Sequence, residues 1–204
     1  MNKLIPAFVL VLSMTLLSCV RSLYPLTENE NEMIFKKELL GHWKDNDSTH
    51  YIVDTLTGKN GKVYTLTLIE SKKNREPSRF SDTSYFLASL VNIKGKLFMD
   101  CIADMKKFEN KGLGETAVNS VMALHYVVGL AAIAPDSLQV TLIDEDKLSS
   151  LLKQKKLNIR QEQPDEDDIL LTEKPTALQK KLIEMQKIPS LFSDETLLRV
   201  KNEN

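Results

Sequence analysis

Tyr85-Phe86-Leu87-Ala88-Ser89-Leu90-Val91-Asn92-Ile93 is followed by Lys94-Gly95 and then by Lys96-Leu97-Phe98-Met99-Asp100-Cys101-Ile102. Two runs rich in aromatic and aliphatic residues around a short glycine-containing turn read as a β-hairpin. Successive side chains of a strand point to opposite faces. Phe86, Ala88 and Leu90 therefore share one face, and Tyr85, Leu87, Ser89 and Val91 the other. Both faces are largely apolar, which predicts burial on both sides or the lining of a cavity.

Working outward, the same pattern recurs. Residues 51–56 and 62–69 flank Gly58-Lys59-Asn60-Gly61, and Asn-Gly between β-branched runs marks a tight hairpin turn. In the second arm Tyr64, Leu66 and Leu68 alternate with threonines, which places the first set towards a core. Residues 121–133 and 138–143 form a third hairpin through Ala134-Pro135-Asp136-Ser137. Between the second and third hairpins, residues 106–119 read as a long loop.

The character of the chain changes after residue 143. Asp144-Glu145-Asp146 precedes Leu148, Leu151 and Leu152, and lysines follow, as the helix dipole favours. Ile169-Leu170-Leu171 reads as a short strand, and Pro175 opens a helix with Leu178, Leu182 and Met185 on one stripe. Ser193 followed by Asp194 and Glu195 reads as the start of a third helix, with Phe192 stapled to Leu197.

Seven or eight strands joined mostly by hairpins predict an α+β fold, mostly antiparallel β: a strongly bent sheet or small barrel with a helical tail. Closure would remove exposed strand edges; an open sheet covered by the helices is the alternative. Gly41-His42-Trp43, just before the first hairpin, resembles the Gly-x-Trp opening of lipocalin-like barrels. That resemblance implies a small closed barrel with an interior site.

The first residues have a different character. Met1-Asn2-Lys3 is a basic start, residues 4–17 are an apolar run, and Leu16-Leu17-Ser18-Cys19 ends it. The run has the length of a signal-peptide core and is too short for a spanning helix. Charge, run and box resemble the leader of bacterial lipoproteins. The resemblance implies cleavage after Ser18 and a diacylglycerol thioether on Cys19, the lipidation site. Residues 1–18 are then a signal peptide, 19–32 the lipidated cysteine with a polar tether, and 33–204 a single globular domain. Val20, not an aspartate, follows the cysteine, which points to the outer membrane with the domain facing the periplasm.

Charge narrows the partners. The 204 residues carry 27 basic and 28 acidic side chains, so nucleic acid is not expected as a partner. Cleavage would leave Cys101 as the one free thiol, and an apolar strand suits it as a small buried hydrophobe. His42 and His50 flank Asp45-Asn46-Asp47, a grouping with no zinc or EF-hand spacing and a common turn sequence. No metal and no cofactor are expected. Asp100, between Met99 and Cys101, needs a partner if buried, and His125 sits in a second apolar strand. No nucleophile elbow, phosphate loop or zinc-protease motif occurs, so enzymatic activity is not expected.

Two functions compete. One is an anchored envelope protein binding a small apolar or amphipathic ligand, with Phe86, Leu90, Asp100 and His125 as candidate contacts. The other is a non-catalytic accessory subunit of an envelope complex with a packed interior. A hydrolase comes third.

Overall fold

A computed structural model describes residues 20–56, 61–70, 83–109, 124–162 and 169–201. In chain order these form β1 (Arg21–Ser22), β2 (Met33–Ile34), β3 (Gly41–Lys44), β4 (His50–Thr55), β5 (Val63–Ile69), β6 (Thr83–Ile93) and β7 (Lys96–Ala103). There follow α1 (Met105–Glu109), β8 (His125–Ile133), β9 (Ser137–Ile143), α2 (Glu145–Lys153), β10 (Gln161–Glu162), β11 (Leu170–Leu171), α3 (Pro175–Met185) and β12 (Phe192–Arg199). Cys19 lies outside the described residues, as do most of the loop expected over 106–119 and the turn residues 57–60.

β3 to β9 run as an up-and-down antiparallel meander. β12 pairs with β9 along its length and with β3 at its end, which closes an eight-stranded barrel. The barrel is of the small, lipocalin-like kind. The β6–β7 hairpin turns on Lys94 and Gly95, both at positive φ, with Gly95 N–H donating to Asn92 Oδ1 at 2.8 Å. That is the geometry whose twist suits a two-residue hairpin.

The meander sorts the connections between two ends. The turns β4–β5, β6–β7 and β8–β9 lie at one end, here the closed end. The strand ends on either side of the β3–β4, β5–β6, β7–β8 and β9–β12 connections lie at the other, the open end.

Alternation along the strands builds two cores. Trp43, Tyr51, Tyr64, Ala88, Met99 and Leu197 point into the barrel. Val91, Phe98, Val127 and Ile143 point out, under α2 and α3. Both faces of the β6–β7 hairpin are thus apolar for different reasons. Leu178, Leu182 and Met185, the stripe of α3, are all fully buried on the outer side. Each such side chain stabilises by about 1.5–3 kcal/mol relative to exposure.

Two expectations are corrected. Residues 192–199 are a strand, not a helix. Their Ser-Asp-Glu start satisfies a helix cap locally, but the edges of β9 and β3 need a partner, and seven register pairs with β9 supply one. The tail therefore holds two helices. The stretch 20–32, read as a tether, is packed on the barrel. Val20 and Leu26 are fully buried, and β1 pairs with both β8 and β11. Its polar part folds on itself: Asn29 caps the short 3-10 turn Glu30–Glu32, and Thr27 donates to Glu32 Oε2 at 2.6 Å.

Candidate functional site

The barrel encloses a cavity of about 380 Å³, within the size range of small-molecule sites. Its walls follow from strand parity. Tyr51 and Val53 from β4, Phe86 from β6, Met99 from β7, and Val128 and Leu130 from β8 are among the inward positions that line it. Each alternates with residues that face solvent or the helices, so the lining is fixed by register. Polar atoms gather at the open end, where Glu70, Ser84 and Glu195 join the wall.

The closed end is sealed by residues far apart in sequence. Arg199, the last residue of β12, lies 4.0 Å over the Trp43 ring. Its guanidinium donates to the carbonyls of Leu40 at 2.9 Å and Glu38 at 2.8 Å, and its Nε to that of Pro135. Trp43 Nε1 donates to Leu39 O at 2.8 Å. Gly41 sits at φ +131°, and a Cβ there would collide with the Arg199 guanidinium. Gly-x-Trp therefore has a physical reason: the glycine makes room for the cation that stacks on the tryptophan. Tyr64 adds a strap, its hydroxyl accepting from Lys36 N at 2.7 Å while its ring stacks on Phe35. Burial is the main cause that raises the Tyr64 pKa.

The open end is built differently. Tyr51 donates from the barrel to Asp45 Oδ2 at 2.9 Å, and Asp45 Oδ1 accepts from Thr49 N at 2.8 Å. The Asp45-Asn46-Asp47 segment is thus a turn. A second hollow of about 530 Å³ adjoins the cavity here, sharing Tyr51, Leu142 and Glu195 with it. Asp47, Asp144, Asp146 and Asp194 are among its lining residues. Glu195 pairs through its backbone with Val140 of β9, and its side chain reaches the rim of both hollows. Partial burial first, and then Asp45 and Asp47, hold its carboxyl above the usual carboxylate range.

The candidate contacts divide. Phe86 lines the cavity. Leu90 points inward but is fully buried in the inner core rather than lining the cavity. Asp100 and His125 are on the outer face of β7 and β8, away from the cavity. His125 Nδ1 donates to Asp100 Oδ1 at 2.7 Å, and Leu26 N donates to the other carboxylate oxygen at 2.8 Å. Asp100 is a buried structural group that ties the N-terminal segment to the barrel. His42 and His50 also face outward, with Nε2 of one 2.7 Å from Nδ1 of the other. Burial and then His50 hold the His42 pKa below the usual histidine value. These imidazoles do not converge with Asp45, which turns to Tyr51. Cys101 is buried and lines the cavity.

Sequence reasoning missed Arg199 and Glu195, because both lie in the segment read as a helix. Among the described residues no helix is long and apolar enough to cross a membrane. No family description, curated protein or solved structure matches the chain.

Proposed function

We propose that this chain is a lipid-anchored envelope protein whose barrel binds a small apolar or amphipathic molecule. The apolar cavity, closed at the Trp43–Arg199 end and reaching polar groups at the other, carries this reading. A bundle of strands meant only to present a surface gains nothing from a hollow interior, since unfilled volume costs packing energy. A site that buries an apolar guest recovers that loss when occupied. The accessory-subunit reading needs a filled interior and has correspondingly less support.

The anchor rests on the leader and its cysteine. It also fits the position of the next residue, since Val20 is fully buried and its carbonyl accepts from Val127 N at 3.4 Å. Lipid on Cys19 would therefore hold the barrel against the membrane with almost no slack. Cys19→Ala should abolish fatty-acid labelling and release the protein in soluble form; persistent labelling would sink the anchor.

Both cores lie within residues 20–201, so the chain from residue 19 onward, carrying Cys19→Ala, contains the folding unit. Native mass spectrometry of that protein, purified gently from its own envelope, should show an added mass of a few hundred daltons. The mass should disappear on denaturation and in a Val128→Trp variant that fills the cavity. An added mass that survives Val128→Trp would place the ligand elsewhere and overturn the site.

A further inference from the structure

We propose that the cavity selects neutral apolar molecules that carry a carbonyl oxygen, a ketone or an ester, and that the Tyr126 hydroxyl donates to that oxygen. This rests on the ligand-binding reading above and adds the chemistry of the guest.

Three aromatic residues with a polar tip line the cavity: Trp43, Tyr51 and Tyr126. Two of these tips are used by the protein itself. Trp43 Nε1 donates to Leu39 O, and the Tyr51 hydroxyl donates to Asp45 Oδ2. Tyr126 differs. It takes an inward position of β8, in step with Val128 and Leu130. Its ring is held edge-on against Phe86, with centroids 6.0 Å apart and planes at 82°. Among the described residues its hydroxyl has no hydrogen-bond partner. Nor is that hydroxyl walled in, because Thr172 Oγ1 is the one described side-chain polar atom that is both fully buried and unpaired. The hydroxyl therefore opens on the hollow that its own ring lines.

A phenol set in an apolar wall normally finds a partner, because an unpaired donor there costs stability. In this wall the partner comes with the guest. A tyrosine hydroxyl has one proton to donate. A carbonyl oxygen accepts it and brings no donor of its own. An alcohol or amide guest would bring an O–H or N–H into a wall made of side chains such as Val53, Val128, Leu130 and Val140, which cannot accept it. An ionised head would cost more still to bury. A pure hydrocarbon would leave Tyr126 as it is. At about 30 Å³ for each water-sized group, the cavity has room for roughly a dozen heavy atoms.

The test displaces N-phenylnaphthylamine, a neutral dye that brightens in apolar sites, from the chain that starts at residue 19 and carries Cys19→Ala. The competitors are methyl heptyl ketone and the hydrocarbon in which a methylene replaces the ketone oxygen. Both should displace the dye. Tyr126→Phe should weaken the ketone about three- to tenfold, the worth of one neutral hydrogen bond, and leave the hydrocarbon within about twofold. Its melting temperature should match the parent's, since the lost hydroxyl bonds nothing in the protein. Infrared spectroscopy of the ketone, isotope-labelled at its carbonyl and bound to the unaltered site, should find the stretch at the lower frequency of a hydrogen-bonded carbonyl. That reading does not depend on how well Tyr126→Phe folds.

An equal effect of Tyr126→Phe on the two competitors, or none on either, would overturn the proposal and leave the pocket reading intact. So would a carbonyl stretch at its frequency in a hydrocarbon solvent. A melting temperature lowered by about 3 °C or more in Tyr126→Phe would give the hydroxyl a partner in the protein and would likewise overturn the proposal. Binding of neither the dye nor the two competitors would overturn both readings.

Discussion

The two ends of the barrel solve opposite problems. At the closed end a cation, an indole and three backbone carbonyls satisfy one another around Gly41. At the open end several carboxylates share one hollow, and Asp45 and Asp47 oppose the ionisation of Glu195. Buried polar groups are normally paired because leaving them unpaired costs stability. The closed end follows that rule and is architecture. The open end instead gathers like charges on a half-buried rim, and perturbed carboxyls of this kind concentrate where a protein meets a ligand.

Breaking the closed end should have the largest effect. Arg199→Ala orphans the carbonyls of Glu38, Leu40 and Pro135 and uncovers Trp43. Urea unfolding should show a loss of about 2–4 kcal/mol. Arg199→Lys should recover only part of it, since an ammonium cannot reproduce the planar fork. A loss below about 1 kcal/mol for Arg199→Ala would remove the closed end from the list of structural determinants.

The next effect tests the stretch 20–32, which behaves as part of the fold rather than as a leash. A chain beginning at Ser22 loses Val20 from the outer core and the bond from Val127 N to its carbonyl. It should be less stable than one beginning at residue 19 by about 1.5–3 kcal/mol. Equal stability would return the segment to the status of a tether. Asp100→Ala acts on the same layer by orphaning His125 and Leu26 N, and should cost about 1–3 kcal/mol. Ligand affinity should be unchanged, because Asp100 faces away from the cavity. An affinity loss of tenfold or more without a stability loss would contradict that placement.

These effects also mark what was legible in the sequence. Strands β4 to β9 were readable because hairpin pairing is local: alternation and turn residues lie within a few positions of each other. The stripe of α3 was readable for the same reason. The strand β12 was not. Its first residues obey the capping chemistry of a helix, and what overrides it is the unpaired edges of β3 and β9, contributed from distant parts of the chain. The cation above Trp43 was invisible with it, since Arg199 stands 159 residues from its acceptor Leu40. At the open end Asp45-Asn46-Asp47 was rightly a turn. The approach of Glu195 to it depends on barrel closure and could not be read from spacing.

The smallest expected effect is the most specific to the contrast between the ends. The Glu195 carboxyl is raised above its usual value by burial and by Asp45 and Asp47. A carboxyl with a higher pKa folded than unfolded holds more protons in the native state between those two values. Unfolding free energy then falls as pH rises through that window. The native penalty is absent below the ordinary carboxylate value, where both states are protonated. It is fully present above the raised value, where both are ionised. Glu195→Gln removes the ionisation and keeps the shape. Its melting temperature should exceed that of the parent by about 1–2 °C at pH 7, a small gain because the group is half exposed and screened. The gain should vanish below pH ~4. At neutral pH part of it should also fade in high salt, since one of the two carboxylates that oppose it, Asp47, is exposed. At the closed end the Arg199 variants should keep most of their loss in the same salt, because the partners there are a ring and neutral carbonyls rather than opposite charges. A Glu195→Gln protein less stable than the parent at pH 7 would mean that the carboxylate is satisfied after all. The asymmetry between the two ends would then be one of shape alone.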